Sequence, residues 1–426
     1  MERLKWFEQA RYGLFIHWGL YAALGGEWEG VHYPGGTEWI MRTARIPFEA
    51  YRKLALSFDP VCFDAEEWVK KALDFGCRYL CFTAKHHDGF AMFDTAVSDY
   101  SIMHTPFGRD VVKELSDACR RHDLTFCVYY SQMQDWADPD GDGNTWDYDP
   151  EKKDFRRYFD NKVKPQVREL LTKYGRIGMI WFDTPYDMPR ELCAELAGFV
   201  HSIQPDCVIN GRIGYGLGDY RQMGDNEIPV LAYRGAWETP MTLNNTWGYS
   251  NTDQNWKSPK TVMKMLIDVV SKGGNLLINV GPDAKGVIPE GSVQTLRKVG
   301  AWLHRNGESI YGTKPCADFP YQMRWGGMTG RGEKVYLHLL DVSELRGHLK
   351  ICNIETKAKS CRLLSTGEEL PFRQTYELAR DEYRFIVDYP AERLDDLDTV
   401  IAVEFEEAPV PHSLYMTFDN DADTKM

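Results

Sequence analysis

One stretch of the chain runs from apolar residues directly into an acid: Ile177-Gly178-Met179-Ile180-Trp181-Phe182-Asp183. Thr184 and Pro185 then end the apolar run. A short apolar segment bounded by turn residues is typical of a buried β-strand. In a barrel of parallel strands, the carboxyl end of such a strand lies on the face that carries the chemistry. Asp183 is therefore the first candidate for a catalytic group, and an Asp that merely caps a turn is the structural alternative.

The same pattern repeats on both sides of this stretch. Apolar segments predict strands over residues 11–19, 78–84, 125–131, 177–183, 207–210 and 275–280, and amphipathic segments between and after them predict helices over 63–75, 110–121, 153–174, 190–202, 259–272 and 291–306. This alternation favours a parallel barrel or a doubly wound sheet. Because neither a Gly-x-Gly-x-x-Gly turn nor a Walker loop follows the early strands, we predict an α/β fold with an irregular (β/α)8-like barrel.

The pattern changes after Thr313. Short alternating segments separated by turns predict strands over residues 335–340, 348–352, 359–364, 383–387 and 400–404. This spacing is typical of an antiparallel β-sandwich. The predicted domains are a catalytic barrel over residues 1–313, a C-terminal β-sandwich over 314–412 and a flexible polar tail over 413–426.

Composition narrows the range of partners. The net charge is −13, from 50 basic and 63 acidic residues. It argues against nucleic acid or an anionic membrane as a partner, since both require a positive surface. The first residues lack the apolar stretch of a signal peptide, and no segment has the length of a transmembrane helix. The ten cysteines contain no Cys-x-x-Cys pair. We therefore expect reduced thiols in a cytoplasmic protein, and the sequence leaves open whether it forms a homo-oligomer.

The predicted strand ends and one later loop carry the candidate site residues. The strand ends supply His17, His86, His87, Tyr129, Tyr130, Trp181 and Asp183, and the loop region supplies Asp225, Glu227 and Glu238. Hydroxyl-binding groups beside aromatic rings suit a sugar. Neighbours on a strand point to opposite faces, so Tyr129 and Tyr130 should not both face the site. His86 and His87 can do so only where the strand ends or is bulged.

Two chemistries fit these residues. His17, His86, His87 and Asp183 could bind zinc in a barrel hydrolase, but the first strand lacks a His-x-His pair and nearby tryptophans would crowd a metal. Paired carboxylates fit better, because a retaining glycosidase uses a nucleophile and a general acid/base about 5–5.5 Å apart. Asp183 suits the nucleophile, and a loop acid suits the proton donor. This chemistry requires no metal and no other cofactor.

Several motifs in order resemble the α-L-fucosidases of glycoside hydrolase family twenty-nine. The resemblance covers roughly residues 5–315. It rests on the segments 13–19 (Gly-Leu-Phe-Ile-His-Trp-Gly), Glu38-Trp39, 83–90 (Thr-Ala-Lys-His-His-Asp-Gly-Phe), 128–131 (Val-Tyr-Tyr-Ser), 181–183 (Trp-Phe-Asp), 237–239 (Trp-Glu-Thr), 247–249 (Trp-Gly-Tyr), 272–282 and 307–313.

The resemblance implies a retaining exo-hydrolase that removes terminal α-L-fucose through a covalent fucosyl-enzyme intermediate. It implies a barrel followed by a β-sandwich and no metal. Asp183 falls on the family's nucleophile, and one of Tyr129 and Tyr130 falls on its fucose-binding set together with His17, Glu38, Trp39, His86, His87 and Trp181. The expected substrates are small fucosylated oligosaccharides or glycosides.

The position of the acid/base varies within that family, and three candidates stand in this chain. The segments Gly-Asp-Asn-Glu-Ile-Pro (224–229) and Trp-Glu-Thr-Pro (237–240) resemble a branch that favours Asp225. Glu227 lies on the same face as Asp225 if that loop is extended, and Glu238 is the third candidate. The competing functions are a metal-dependent barrel hydrolase and an inactive fucose-binding protein.

Overall fold

Eight parallel strands form one curled sheet in the computed structural model, which describes residues 1–231, 233–316, 323–343, 345 and 347–410. The predicted tail at 413–426 lies outside the described residues. The order across the sheet is β5-β4-β3-β2-β1-β8-β7-β6. The strands are β1 (Tyr12–Ile16), β2 (Tyr79–Lys85), β3 (Thr125–Tyr130), β4 (Met179–Phe182), β5 (Val208–Ile209), β6 (Arg221–Gln222), β7 (Trp237–Thr242) and β8 (Asn275–Val280). Strands that are neighbours in sequence therefore pair, except β5 and β6, which form the two edges of the sheet, and β1 pairs with β8, as in the predicted irregular barrel.

Helices follow β1, β2, β3, β4, β7 and β8, and they cover the outside of the sheet. The principal ones are Ala65–Asp74, Val111–Arg121, Lys164–Lys173, Arg190–Ile203, Pro259–Ser271 and Glu290–Asn306. The third was predicted as one helix over 153–174, but a short helix (Phe155–Tyr158) and a π-helical turn (Phe159–Val163) precede it. Pro165 explains the irregularity, since it has no N–H to continue the α-helical hydrogen bonds.

The barrel is irregular between β5 and β6, the two edge strands of the sheet. In the described chain, only the 3₁₀ turn Gly211–Ile213 lies between them, and no helix lies between β6 and β7. Asp219 bridges the gap: its N–H donates to the carbonyl of Ile209 at 2.7 Å, and its carboxylate accepts from the N–H of Ile209 at 2.8 Å. The loops after β5 and β6 are thus free of a covering helix.

The amino end of the barrel is closed by the first helix of the chain, Lys5–Ala10. Phe7 stacks on Tyr220 with ring centroids 4.3 Å apart. The carbonyl of Phe7 also accepts a hydrogen bond from the Asn275 amide at 2.7 Å. The other end of the barrel, at the carboxyl ends of the strands, remains the one that can admit a ligand.

Two antiparallel sheets follow the barrel and pack face to face. The first has the order β9-β10-β11-β16-β13 and the second β12-β15-β14. The strands are β9 (Lys314–Pro315), β10 (Gly326–Arg331), β11 (Lys334–Leu339), β12 (His348–Cys352), β13 (Ala358–Leu363), β14 (Phe372–Glu377), β15 (Glu382–Asp388) and β16 (Thr399–Phe405). This arrangement is the predicted β-sandwich. The prediction omitted β9, β10 and β14. In β10, three glycines conceal the alternating pattern of a strand.

The first sheet of the sandwich is also buried against the barrel. Tyr336, Val400 and Ala402 belong to the same apolar cluster as the barrel helices. At this interface His338 Nδ1 lies 2.7 Å from Asp398 Oδ2, and both side chains are fully buried. The indole of Trp302, on the last barrel helix, donates to the carbonyl of Asp398 at 2.7 Å. The buried pair itself lies within the first sheet of the sandwich, and the indole of Trp302 joins the backbone of Asp398 to the barrel.

No helix in the described part of the chain is long and apolar enough to cross a membrane. All ten cysteines are free, as the sequence predicted, and nine of them are buried.

The buried pair His338–Asp398 gives a test of how the sandwich sheet that faces the barrel is stabilised. His338→Ala should lower the free energy of unfolding by about 3 kcal/mol, because it leaves Asp398 buried without its partner. Equilibrium unfolding in urea measures the change. Arg393→Ala is the matched control, since it removes an exposed ion pair with Glu368 and should have little effect. An equal effect of both substitutions would contradict a stabilising role for the buried pair.

Candidate active site

Polar side chains converge at the carboxyl ends of the barrel strands. They follow β1, β2, β4, β5 and β6 in turn: His17, His86, His87, Asp183, Arg212 and Asp225. Because these strands are parallel neighbours, side chains from distant parts of the sequence meet on one face. All but Asp225 are buried or partly buried.

Asp183 is the centre of this cluster, and both of its oxygens are held. Oδ1 accepts hydrogen bonds from Arg212 Nη1 at 2.7 Å and from the N–H of Thr184 at 2.9 Å. Oδ2 accepts from the hydroxyl of Tyr129 at 2.9 Å and lies 3.6 Å from His87 Nε2. The residue is 7% exposed, so its geometry is fixed by the protein and not by solvent.

Opposing effects set the pKa of Asp183. Burial raises it, whereas the charge of Arg212, the nearby His87 and the hydrogen bonds from Arg212 and Tyr129 lower it. The lowering effects are together the stronger, so the pKa lies below its ordinary value. Asp183 is therefore an ionised carboxylate at neutral pH, which is the form that can attack an electrophilic carbon.

Arg212 joins two acids and was missed by the sequence analysis. Nη1 binds Asp183, and Nη2 pairs with Oδ1 of Asp225. The side chain of Asp225 is 45% exposed, in contrast to the buried Asp183. One guanidinium therefore holds a buried and a solvent-accessible carboxylate close together. Its signal in the sequence is its place two residues after Asn210, where a strand was predicted to end.

Two of the predicted histidines are fixed by hydrogen-bonded neighbours, and burial keeps them neutral. His17 Nδ1 lies 2.7 Å from Asn279 Oδ1, and His87 Nδ1 lies 2.7 Å from Ser131 Oγ. Burial, the largest effect, lowers the pKa of His17 to about 3 and that of His87 to about 4. A neutral imidazole has one donor and one acceptor nitrogen, which suits a sugar hydroxyl.

His86 and His87 both enter the cluster although they are adjacent. The strand β2 ends at Lys85, and its pairing with β3 shifts register between Thr83 and Lys85. His86 stacks on the Tyr129 ring with centroids 5.2 Å apart. Among the described residues, His86 Nδ1 and His87 Nε2 are buried without a hydrogen-bond partner. Such atoms are uncommon in a folded interior and are well placed to bind a ligand.

Glu38 and Trp39 reach the cluster from the loop after β1. Glu38 is 2% exposed, and its Oε2 accepts from the N–H of Gly248 at 3.0 Å and from the hydroxyl of Thr246 at 3.4 Å. Burial raises the pKa of Glu38, and these hydrogen bonds reduce the effect. Trp39 packs edge-on against His87 with centroids 4.9 Å apart. Trp39 therefore lies beside His87, whereas Glu38 is held by the loop after β7.

Aromatic rings line the cluster. Trp181 stacks on Tyr129 with centroids 5.4 Å apart, and the guanidinium of Arg212 lies 4.8 Å from the Trp181 ring. Trp247, which was not among the predicted binding residues, lies 5.1 Å from His17. Ring faces of this kind bind the C–H face of a sugar.

Tyr130 lies outside the cluster, and this corrects its prediction as a binding residue. Its hydroxyl donates to Gln166, on the helix Lys164–Lys173, at 2.9 Å. Tyr129 instead bonds Asp183. The alternation of side chains along β3 sends one tyrosine inward and the other to the helix layer.

Glu238 is a structural carboxylate, and this corrects its prediction as an acid/base candidate. It is fully buried; Oε2 accepts from the Tyr79 hydroxyl at 2.6 Å, and Oε1 accepts from Trp181 Nε1 at 2.9 Å and the Tyr220 hydroxyl at 3.0 Å. It pairs with Asn275, the first residue of β8, toward the closed end of the barrel. Burial raises its pKa to about 7. With its oxygens taken by three donors, it has no access to a substrate.

Glu227 does not share a face with Asp225, because the loop turns between them. Asn226 is in the left-handed region with φ 59°, and the N–H of Glu227 donates to the carbonyl of Gly224 at 3.2 Å. The prediction that an extended loop places Asp225 and Glu227 on the same face is therefore wrong. Glu227 is exposed and packs back on Gly224, whereas Asp225 contacts Arg212.

The described residues contain no group of three His, Cys, Asp or Glu side chains arranged to hold a metal ion. The partners of His17 and His87 are instead an amide and a hydroxyl. The site brings together one buried carboxylate, one accessible carboxylate, neutral imidazoles and aromatic rings, a set that fits the hydrolysis of a glycoside.

A comparison with known families identifies the chemistry. The family model described as "Alpha-L-fucosidase" matches residues 2–308. The chain belongs to the α-L-fucosidase family. The protein is accordingly a glycoside hydrolase.

Named fucosidases resemble the chain in sequence and in structure. The plasma α-L-fucosidase of Rattus norvegicus is 31% identical over 331 residues, which are 72% of this chain and 70% of the rat protein. α-L-Fucosidase isoenzyme 1 from Paenibacillus thiaminolyticus superposes with a TM-score of 0.86 at 36% identity, over 95% of this chain and 99% of that one. A fucosidase of Bacteroides thetaiotaomicron, solved as a trapped covalent intermediate, has a TM-score of 0.85 at 28% identity, covering 95% and 96%.

The correction at Glu238 can be tested in this fucosidase by Glu238→Gln. Because Glu238 is structural, the variant should keep turnover of an aryl fucoside close to wild type, whereas loss of an acid/base costs about 10²–10⁴-fold. The substitution should also change the pH dependence of stability. The raised pKa means that the native carboxyl holds its proton to a higher pH than the unfolded one. Its contribution to stability is full below the unfolded pKa and is lost as pH rises through about 7.

Unfolding in urea at pH 5 and pH 8 measures this effect. Glu238→Gln should gain stability relative to wild type as the pH rises, since Gln does not ionise. A large loss of turnover in a folded variant would contradict the structural role.

Proposed function

We propose that the chain is a retaining, exo-acting α-L-fucosidase that works through a covalent fucosyl-enzyme intermediate. The observation that carries the proposal is the bridge from Arg212 to Asp183 and Asp225. A retaining glycosidase places two carboxyl groups about 5–5.5 Å apart across the scissile bond. A single guanidinium that binds both acids supports a short separation of this kind. The trapped intermediate of the Bacteroides relative also supports this mechanism.

Asp183 is the proposed nucleophile. Its two oxygens are held by four neighbours, and its lowered pKa keeps it ionised. Fixed geometry favours attack on the anomeric carbon, because no conformational entropy is lost in positioning the carboxylate. Arg212 and Tyr129 also stabilise the carboxylate when it is regenerated in the second step.

Asp225 is the proposed general acid/base. It is the loop acid that contacts Arg212, and it remains partly exposed, so it can turn toward the glycosidic oxygen. In the first step it protonates the leaving oxygen, and in the second it takes a proton from the attacking water. Its place on a loop without a covering helix allows leaving groups of different shape.

The remaining residues suit a single terminal fucose. His87 lies 3.6 Å from Asp183, and His17 and His86 pack on the Tyr129 ring that bonds Asp183. Together with the buried Glu38, they offer groups that bind hydroxyls. Trp39, Trp181 and Trp247 offer faces for the ring carbons and the C5 methyl group. Because the cluster ends in the buried interior of the barrel, it suits the terminal sugar of small fucosylated oligosaccharides or glycosides.

The nucleophile is tested by Asp183→Ala. The variant should fold but hydrolyse an aryl α-L-fucoside at least about 10³-fold more slowly, because the bond-forming group is absent. Asp187→Ala is the matched control, since Asp187 is an exposed acid in the same loop. Near-normal turnover by Asp183→Ala would contradict the assignment.

Azide rescue separates the two acids. Azide should enter the space left in Asp225→Ala and attack the intermediate, giving α-fucosyl azide with retained configuration. In Asp183→Ala it should replace the nucleophile and give the β-anomer. Nuclear magnetic resonance of the product identifies the anomer. Glu227→Ala is the control, and it should show neither loss nor rescue; rescue of Glu227→Ala in place of Asp225→Ala would move the acid/base to Glu227.

A further inference from the structure

A groove of about 540 Å³ lies on the rim of the barrel, one residue along the chain from Asp225. It runs between the loop after β6, the end of β7 and the helix Pro259–Ser271. Its lining consists of Asn226, Ile228, Met241, Thr242, Asn244, Asn245, Lys257 and Met265. No part of the fucose cluster described above contributes to it. Its volume is in the range of small-molecule sites.

The wall nearest to Asp225 is rigid. The Asn226 side-chain oxygen accepts from the N–H of Thr242 at 3.0 Å and from its hydroxyl at 3.1 Å. The N–H of Asn226 donates to the carbonyl of Pro240 at 3.0 Å. The turn that carries Asp225 is therefore fixed to the end of β7, and the groove begins at that turn.

Asn244 offers a polar group to the groove. The residue is only 8% exposed, yet its side-chain amide makes no hydrogen bond to any other described residue. Its amide atoms are not among the buried, unpaired polar atoms of the described residues, so they are open to the groove. Lys257 also lines the groove, and its ammonium donates to the carbonyls of Thr242 at 2.7 Å and Asn244 at 3.4 Å. The amide is thus held in place by its backbone while its side chain is left for a ligand.

The chemistry of the lining suits a neutral sugar. Asn244 and Asn226 provide amides that can bind hydroxyl or acetamido groups. Ile228, Met241 and Met265 provide apolar contacts for ring carbons or for an acetamido methyl group. In the described structure the groove contains no carboxylate, which argues against a cationic ligand.

We propose that this groove is the subsite for the leaving group, and that it binds the one or two neutral sugar residues linked to the terminal fucose. The proposal rests on the proposed function. The acid that protonates the glycosidic oxygen has to contact it, so the sugar beyond that oxygen lies against the neighbours of Asp225. Asn226 is the neighbour that opens into a groove of sufficient size.

The test compares substrates that differ only beyond the fucose. An aryl α-L-fucoside carries no second sugar, whereas fucosylated trisaccharides with and without an acetamido group extend into the groove. Asn244→Ala removes the amide, and Met265→Trp fills the groove from the partly buried helix face. Both variants should lower kcat/KM for the trisaccharides about tenfold or more, with the acetamido substrate affected more by Asn244→Ala. Turnover of the aryl fucoside should stay within about twofold of wild type, which also shows that the variants fold.

Asn255→Ala is the matched control, since Asn255 is exposed and outside the groove; it should leave all substrates unchanged. Equal losses on the aryl fucoside and the trisaccharides would overturn the proposal, because they would place Asn244 in support of the fucose cluster. Unchanged kinetics on every substrate would also overturn it and place the leaving sugar elsewhere. If the wild-type enzyme hydrolyses no fucoside at all, the proposed function itself fails, and this outcome is distinct from a failure of the groove.

Discussion

The arrangement of the site depends on the guanidinium of Arg212, which binds the buried Asp183 and the accessible Asp225 at once. A carboxylate that is 7% exposed would ordinarily hold its proton, because burial disfavours its charge. Arg212, together with Tyr129 and His87, reverses that tendency. The site can therefore exclude water around one acid and still keep it charged, while the other acid remains in contact with solvent.

This bridge is a consequence of the irregular part of the barrel. Helices cover the sheet after six of the strands, but in the described chain none follows β5 or β6. Arg212 and Asp225 come from these two connections. A regular βα unit would turn away into a helix within a few residues, whereas here the chain stays near the rim. Asp219 supplies the backbone hydrogen bonds that hold β5 to the neighbouring segment in the absence of a helix.

Site residues that directly follow an apolar strand can be predicted from the sequence. The role of a residue that depends on its contacts with distant parts of the chain cannot. Asp183, His17 and the His86-His87 pair were predicted because each follows a long apolar segment. Arg212 was missed although a strand was predicted over 207–210, because it lies beyond the strand end in the turn Gly211–Ile213. Glu238 was chosen for its residue type, but only the three donors around it show a structural role. The alternation of β3 predicted that one tyrosine faces inward, and the contact with Asp183 shows that it is Tyr129.

The pairing of β1 with β8 joins the first barrel strand to one that ends at Val280. During synthesis, an apolar strand made at the very start of the chain therefore waits for its second neighbour until most of the protein has left the ribosome. The same holds for the helix Lys5–Ala10, whose contact with Asn275 forms equally late. Unpaired strand edges are sites of aggregation in partly folded proteins. The pairing of β1 with a strand so far along the sequence thus makes the nascent chain dependent on protection until β8 has been made.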